Sequence, residues 1–448
     1  MLSISEAEAR VAALIERARR AGADAADALY FADASSSVQV RLGALEDVSR
    51  SEGEEIGLRF FLGQRSASVS SSDLSDEALA ALIDRAAAMA REAPDDPFAG
   101  LAPEALLMRG EAPDIDGDDG LDLPAAELKA RALEAEQAAR AVPGVTNSEG
   151  AGVSAGRGTI ALATSHGFCR GFATSHYGGS ASVVAGSGGG MQRDYAFHGA
   201  RHYADLDDPE TIGREAGERA VARLDPAKLP SGTMPIVFDP RVGTSLIGHL
   251  LGAITGPAIT RRTSFLLDHE GKQVFAPGIT IRDEPHRPRG LRSRPFDGEG
   301  LPTHPTELVA DGVLTGWLLD SASARQLGRA PTGHAARGVG GAPSASATNV
   351  HLAPGPVSKE TLIADIGRGL YVTELIGQGV NPVTGDYSRG ASGFIIENGR
   401  IGPAVAEITV AGNLLDMFRN LAAADDLEYR RAVNVPTLRI EGMMVAGA

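Results

Sequence analysis

Apolar residues recur along the chain at two spacings, and the switches between them divide it into elements. Ser5 followed by Glu8 is a capping-box pattern, and the helical spacing behind it runs to about Ala21, where Gly22 supplies a stop. Partial alternation then predicts short strands at 28–32, 37–42, 46–50, 55–62 and 65–71, with turns at Gly43, Gly53 and Gly63, an antiparallel meander. Ser75 opens a second helix with an apolar face of Leu79, Leu82, Ile83, Ala86 and Met89, ended by Pro94. Residues 94–124, rich in Pro, Gly and Asp, read as a long connection. A helix over 124–141, glycine-punctuated β segments from Val145 to Tyr203 and a helix from Asp208 to Leu224 follow.

The run Met234–Phe238 predicts a buried strand, and Asp239 with Pro240 caps and starts a helix directly behind it. Val242, Leu246, Ile247, Leu250, Leu251 and Ile254 form its apolar stripe, with His249 as its one histidine. Beyond Thr255 the periodicity breaks into strand-like runs near 306–309, 313–318, 349–352, 394–397 and 407–410, with helices at 321–327, 359–367 and 413–420. The pattern predicts an α+β fold: an N-terminal α+β domain with an antiparallel sheet, and a C-terminal β-rich domain with inserted helices. The expected divisions are 1–95 for the first α+β unit, 96–230 for the linker, helix and meander that complete the N-terminal part, and 231–448 for the β-rich part.

A formal charge of −16 argues against nucleic acid as a partner, because phosphate binding needs a basic face. No apolar run reaches the roughly 18 residues of a membrane span, and the first residues read as an acidic helix, not as a secretory signal. The single cysteine, Cys169, fits a reducing cytoplasm.

Metal chemistry is tested first. A zinc hydrolase needs about three N, S or O ligands and a carboxylate base. There is no HExxH, His269-Glu270 has no second histidine on a helical face, and His249 stands alone. Among nucleophiles, Cys169 lies near His166 and Arg170, both able to lower its pKa, but a half-buried inert thiol is the simpler reading. Ser245 and His249 share a helical face without a nucleophile elbow or an orienting acid. Asp114, Asp116, Asp118 and Asp119 resemble a calcium loop, yet the turn position is Asp119 and position twelve is Ala125, which leaves a solvated acidic loop. Gly186–Gly190 and Gly338–Gly341 match no phosphate loop and read as flexible turns. Arg282, Arg287, Arg289, Arg292 and Arg294 form either a carboxylate grip or a solvated loop. Two copies of Ala-Thr-Ser-His, at 163–166 and 173–176, suggest adjoining strands with His166 and His176 in related environments.

Longer motifs carry a family resemblance. DPRVGTSLIGH at 239–249 and TSF at 263–265 are joined by LYVTELIGQGVN at 370–381, TGDYSRG at 384–390 and SGF at 392–394. EITVAGN at 407–413 and IEGMMVAG at 440–447 complete the set. In these the chain resembles the TldD/PmbA family, and within it the PmbA (TldE) branch; the N-terminal part matches by layout alone. The resemblance implies a cytoplasmic protein that pairs as a dimer, commonly with a TldD-type subunit, in a zinc-dependent protease acting on unfolded or leader peptides. In the TldD branch the helix after the central strand carries HExxxH, and a C-terminal cysteine completes the metal site. Here those positions are Thr244, Ser245 and His249, and no cysteine lies between Asn381 and Ala448.

The expectation is therefore a subunit without a catalytic residue, metal or cofactor of its own, with zinc in a TldD-type partner. The assembly is a heterodimer with that partner or a homodimer, and extended peptide is held by β-augmentation in the C-terminal domain. The alternatives are a self-sufficient hydrolase using Cys169 or Ser245, and a zinc peptidase with a non-standard site including His249.

Overall fold

The computed structural model describes residues 1–447. Helix α1 (Ile4–Arg20) is capped by Ser3, whose side chain accepts from Glu6 N while the Glu6 carboxylate accepts from Ser3 N. The capping box thus lies two residues before the expected pair, and Glu8 is left to accept from Gly171 N. α1 buries Ala7, Val11, Leu14, Ile15 and Ala18, a stripe at helical spacing.

Three strands follow, β1 (Ala25–Arg41), β2 (Ala44–Leu62) and β3 (Arg65–Ser71), then α2 (Asp76–Glu92). The five short strands expected here are three. Ser35 pairs with Ser51 and Asp33 with Gly53, so the serine run and Gly53 lie inside a continuous ladder and there is no turn at Gly53. The same plan then repeats as α3 (Ala125–Ala141), β4 (Val145–Thr164), β5 (Cys169–Ala185), β6 (Gln192–Ala200) and α4 (Pro209–Ala222). All six strands form one antiparallel sheet in the order β3-β2-β1-β4-β5-β6, joined at a β1–β4 seam running from Asp27–Thr164 to Val40–Ala151.

All four helices cover one face of this sheet. Side chains two apart on β1 point to the same side; Ala26, Ala28, Tyr30 and Ala32 pack with α1 and α2, while Val38 and Val40 pack with α3 and α4. Leu29 and Leu162 point the other way, onto Phe168, Phe296 and Leu301.

The C-terminal part begins with β7 (Gly232–Phe238), α5 (Pro240–Ala253) and α6 (Gly256–Thr260). Next come β8 (Ile281–Asp283), β9 (Thr306–Ala310), β10 (Val313–Leu314), α7 (Ser321–Leu327), β11 (Ala335–Ala336), β12 (Ser344–Ala345), β13 (Val350–Leu352) and α8 (Lys359–Ile363). The chain closes with β14 (Arg368–Ile376), β15 (Asp386–Glu397), β16 (Arg400–Asn413), α9 (Leu414–Arg419), β17 (Leu421–Ala423), β18 (Val433–Asn434) and β19 (Leu438–Ala446). A six-stranded sheet, β16-β15-β14-β7-β19-β17, curls until β16 also pairs with β19. A smaller sheet, β10-β9-β8-β13-β18, stands beside it, and one apolar core joins α5 to both. The architecture is α+β, as expected.

Two buried carboxylates tie the C-terminal part to the N-terminal sheet. Asp27 on β1 is gripped by Arg59 from β2 and by Arg337 from the loop after β11. Asp194 on β6 is gripped by Arg223, just after α4, and by Arg241 on α5. The loop at 338–341, expected to be a flexible turn, lies against β2: a Cβ on Gly57 would fall 1.8 Å from Val339 O.

Candidate functional site

Helix α5 is capped by the Asp239 carboxylate, which accepts from Arg241 N at 2.9 Å, and it buries Leu246, Ile247, Leu250 and Ala253. The three motif positions on it face different surroundings. Thr244 donates to Arg241 O at 3.4 Å and Ser245 to Val242 O at 2.7 Å, so both hydroxyls are turned back onto their own helix. His249 is half-buried, its ring edge-on to Tyr387 of β15 with centroids 6.1 Å apart. Its Nε2, the Tyr387 hydroxyl and Arg389 Nε are all buried without a hydrogen-bond partner. Burial, then the nearby Arg389 charge, lowers the His249 pKa, and burial pushes the Tyr387 hydroxyl up to about 12. The niche holds a neutral imidazole beside a neutral phenol.

Zinc at this position would need anionic or imidazole donors converging on one point. Two neutral hydroxyls bonded to backbone and one imidazole do not make that ligand set. Among the described residues, no group of three or more His, Cys, Asp or Glu side chains is placed to hold a metal ion.

The N-terminal end of α5 opens on a polar cleft of about 360 Å³ between β6, α4 and the segment 426–435, and Thr244 lines it. In it Lys359 Nζ donates to the Tyr371 hydroxyl at 2.8 Å, which donates to Asp239 at 2.7 Å. Burial and Asp239 raise the Tyr371 pKa far above its ordinary value, so the phenol stays a donor. Arg431 stacks over Phe197 at 4.4 Å. Sequence reasoning missed Asp194, Tyr371 and Arg431. Tyr371 sits inside a quoted motif, but its partner Asp239 is 132 positions away.

The other candidates are resolved by their neighbours. Cys169 Sγ donates to Glu8 O at 3.5 Å, and burial followed by the Glu8 charge pushes the thiol up, against the weaker pull of Arg170. His166 Nδ1 is instead 3.1 Å from Ala102 O. A nucleophile needs the opposite shift. His166 lies in the β4–β5 turn and His176 in mid-strand opposite Gly156, so the two repeats do adjoin but their histidines are not equivalent.

The acidic loop is solvated at Asp114, but its other three carboxylates also have partners. Asp116 pairs with Arg289 at 2.6 Å, Arg157 Nε donates to Asp118 at 2.9 Å, and Asp119 accepts from the Tyr177 hydroxyl at 2.7 Å. Within the arginine cluster Arg282 binds Glu307, Arg287 lies over Tyr429 and Arg294 donates to the carbonyls of Ala335 and Ser346, while Arg282 and Arg289 stay partly exposed.

Three family models match in succession: PmbA/TldA metallopeptidase domain 1 over residues 26–90, the central domain over 118–224 and the C-terminal domain over 231–447. Metalloprotease PmbA of Escherichia coli O157:H7 is 39% identical over 92% of this chain and 90% of its own length. A PmbA homologue from Haemophilus influenzae is 38% identical over 100% and 98%. Among solved structures, a protein described as a modulator of DNA gyrase from Bacteroides thetaiotaomicron superposes with a TM-score of 0.91 at 25% identity, covering 100% of both chains. TldE from Thermococcus kodakarensis gives 0.88 at 21% identity over 98% of this chain and 100% of its own, which speaks for the fold alone. With consecutive family domains along its length and close PmbA relatives over nearly all of it, the chain belongs to the PmbA/TldD metallopeptidase family, on its PmbA (TldE) side.

Proposed function

We propose that this chain is the PmbA-type subunit of a two-component, zinc-dependent peptidase of the cytoplasm, without a metal site of its own. Its TldD-type partner supplies the zinc and the catalytic base, and the complex degrades or processes unfolded or leader peptides. One observation carries the reading: Thr244 and Ser245, at the positions the family resemblance gives to a ligand and the base, spend their hydroxyls on α5's own carbonyls. A hydroxyl cannot replace a carboxylate as proton acceptor near neutral pH. The unactivated Cys169 thiol speaks against the self-sufficient hydrolase. No helix of the described residues is long and apolar enough to cross a membrane.

The experiment is co-expression with an HExxxH-bearing homologue, followed by a chelator wash, zinc analysis and a peptidase assay on an unfolded peptide. The expected result is a one-to-one complex with zinc and activity, and neither in this chain alone. Stoichiometric zinc in the washed chain alone, lost on His249→Ala, overturns the reading. So does peptidase activity that is unchanged when this subunit is omitted.

A further inference from the structure

A second cavity, of about 310 Å³, lies where the uncovered face of the N-terminal sheet meets the C-terminal loops. Its walls are mainly apolar, chiefly Leu29, Phe31, Ile160, Phe172, Phe296 and Val339, with one carboxylate, Asp297, among them. Two arginines line it among these carbons. Arg337 has a side chain only 1% exposed, and of its nitrogens only Nη1 has a partner, Asp27; Nε and Nη2 are buried with none. Arg294 spends both terminal nitrogens on carbonyls and leaves Nε buried and unpartnered.

The carboxylate in the wall, Asp297, and those nearby are committed elsewhere. Asp27 also serves Arg59; Asp297 accepts from Glu299 N, Leu301 N and Ala335 N; Glu299 and Asp320 bind the Ser321 and Ser323 hydroxyls. Buried polar groups in folded proteins are nearly always bonded, and here three donors beside one cavity have no partner within the protein. A buried guanidinium is best answered by an anion.

We infer that this cavity binds the C-terminal residue of a peptide, its α-carboxylate at Arg337 and Arg294 and an apolar side chain against Phe31, Phe172 and Phe296. The volume suits one aromatic or aliphatic side chain with its carboxylate and is short for a long acyl chain. A free amino acid is disfavoured because its ammonium would be carried in beside two guanidiniums. The carboxylate requirement rests on this chain's residues; only the choice of a peptide as its bearer leans on the function proposed above.

The test uses the full chain alone, without partner or zinc, so that failure here is read separately from failure of the complex. N-acetylphenylalanine, its amide, free phenylalanine and octanoate are titrated by calorimetry. Saturable binding of N-acetylphenylalanine is expected, with the amide and free phenylalanine about tenfold weaker or worse, as loss of one charge-assisted contact implies. Arg337→Met is expected to weaken binding by a similar factor. Phe31 is 40% exposed, so Phe31→Glu leaves the fold intact while placing a like charge at the cavity, and it is expected to abolish binding. No saturable binding at millimolar ligand, or an amide that binds as well as the acid, overturns the site. Octanoate binding more tightly than N-acetylphenylalanine overturns the peptide assignment.

Discussion

In the N-terminal sheet β1 meets β4 over its whole central length with no shift of register, so backbone donors and acceptors satisfy one another. The C-terminal part folds much of its chain into strands of two or three residues and loops, and side chains do that work instead. Asp297 accepts from the backbone of residues 299, 301 and 335; Asp283 accepts from Thr348; Asp426 accepts from Thr437; Glu299 accepts from Ser321. A buried backbone N–H needs a partner, and where no neighbouring strand supplies one a buried carboxylate must. The lesson is one of use: in the C-terminal part acids serve backbone donors at several places, whereas in the N-terminal part Asp27 and Asp194 are spent on arginines and Glu136 serves the backbone of the β1–β2 turn, so identical kinds of substitution act differently in each.

The largest effect is expected where the two parts meet. Asp27→Ala leaves Arg59 and Arg337 buried without their carboxylate, which is expected to cost about 3–5 kcal/mol in urea or guanidinium unfolding. A loss below about 1 kcal/mol would break the contrast. Next is the pH profile. Burial and the neighbouring Asp297 raise Glu299 from 4.5 to about 7. The folded state therefore holds more protons than the unfolded one between those values, and its stability falls as pH rises through the window and then levels off. The fall is on the order of 3 kcal/mol, and Glu299→Gln is expected to flatten it. A Glu299→Gln profile that keeps the same fall would remove the assignment.

Two glycines on β2 sharpen the comparison further. Gly57→Ala drives a methyl into Val339 O and is expected to cost about 1–3 kcal/mol; Gly53→Ala meets open space and is expected to change stability by about 0.5 kcal/mol or less. Equal shifts in the denaturation midpoint would show that the loop at 338–341 is not held against the sheet. The smallest change is His249→Phe, which replaces an imidazole with no partner at Nε2 by a ring of similar shape and is expected to stay within about 1.5 kcal/mol of wild type.

How much of this was legible in the sequence depends on how far apart the interacting residues lie. The stripes of α1, α2 and α5, and the motifs of β14 to β16, are local patterns and read directly. Gly53 mimics a turn and residues 33–36 a break between strands, and only the facing strand, a tertiary partner, makes them part of a ladder. The repeated helix–three-strand–helix plan left no sequence repeat to find, because a sheet demands alternation, not identity. For the arginines of 282–294 the sequence left a carboxylate grip and a solvated loop both open; Arg287 pairs with Glu284 three positions back, but Arg289 reaches Asp116, 173 positions away. At the candidate site the motif located Thr244, Ser245 and His249, but their hydrogen bonds, and the unmet donors of Arg337 beside a cavity, emerge only once distant segments are brought together.

Asp27 and Asp194 share one design: a carboxylate from the sheet, one arginine from the N-terminal part and one from the C-terminal part. Each is a pin across the boundary, one among several: Arg289 pairs with Asp116 and Asp205, and Arg325 donates to the carbonyls of Phe98, Gly100 and Leu101. Both carboxylate pins also border a cavity, since Arg337 lines the apolar one and Arg241 the polar cleft. A molecule entering either space therefore meets a guanidinium that also fastens the two parts together.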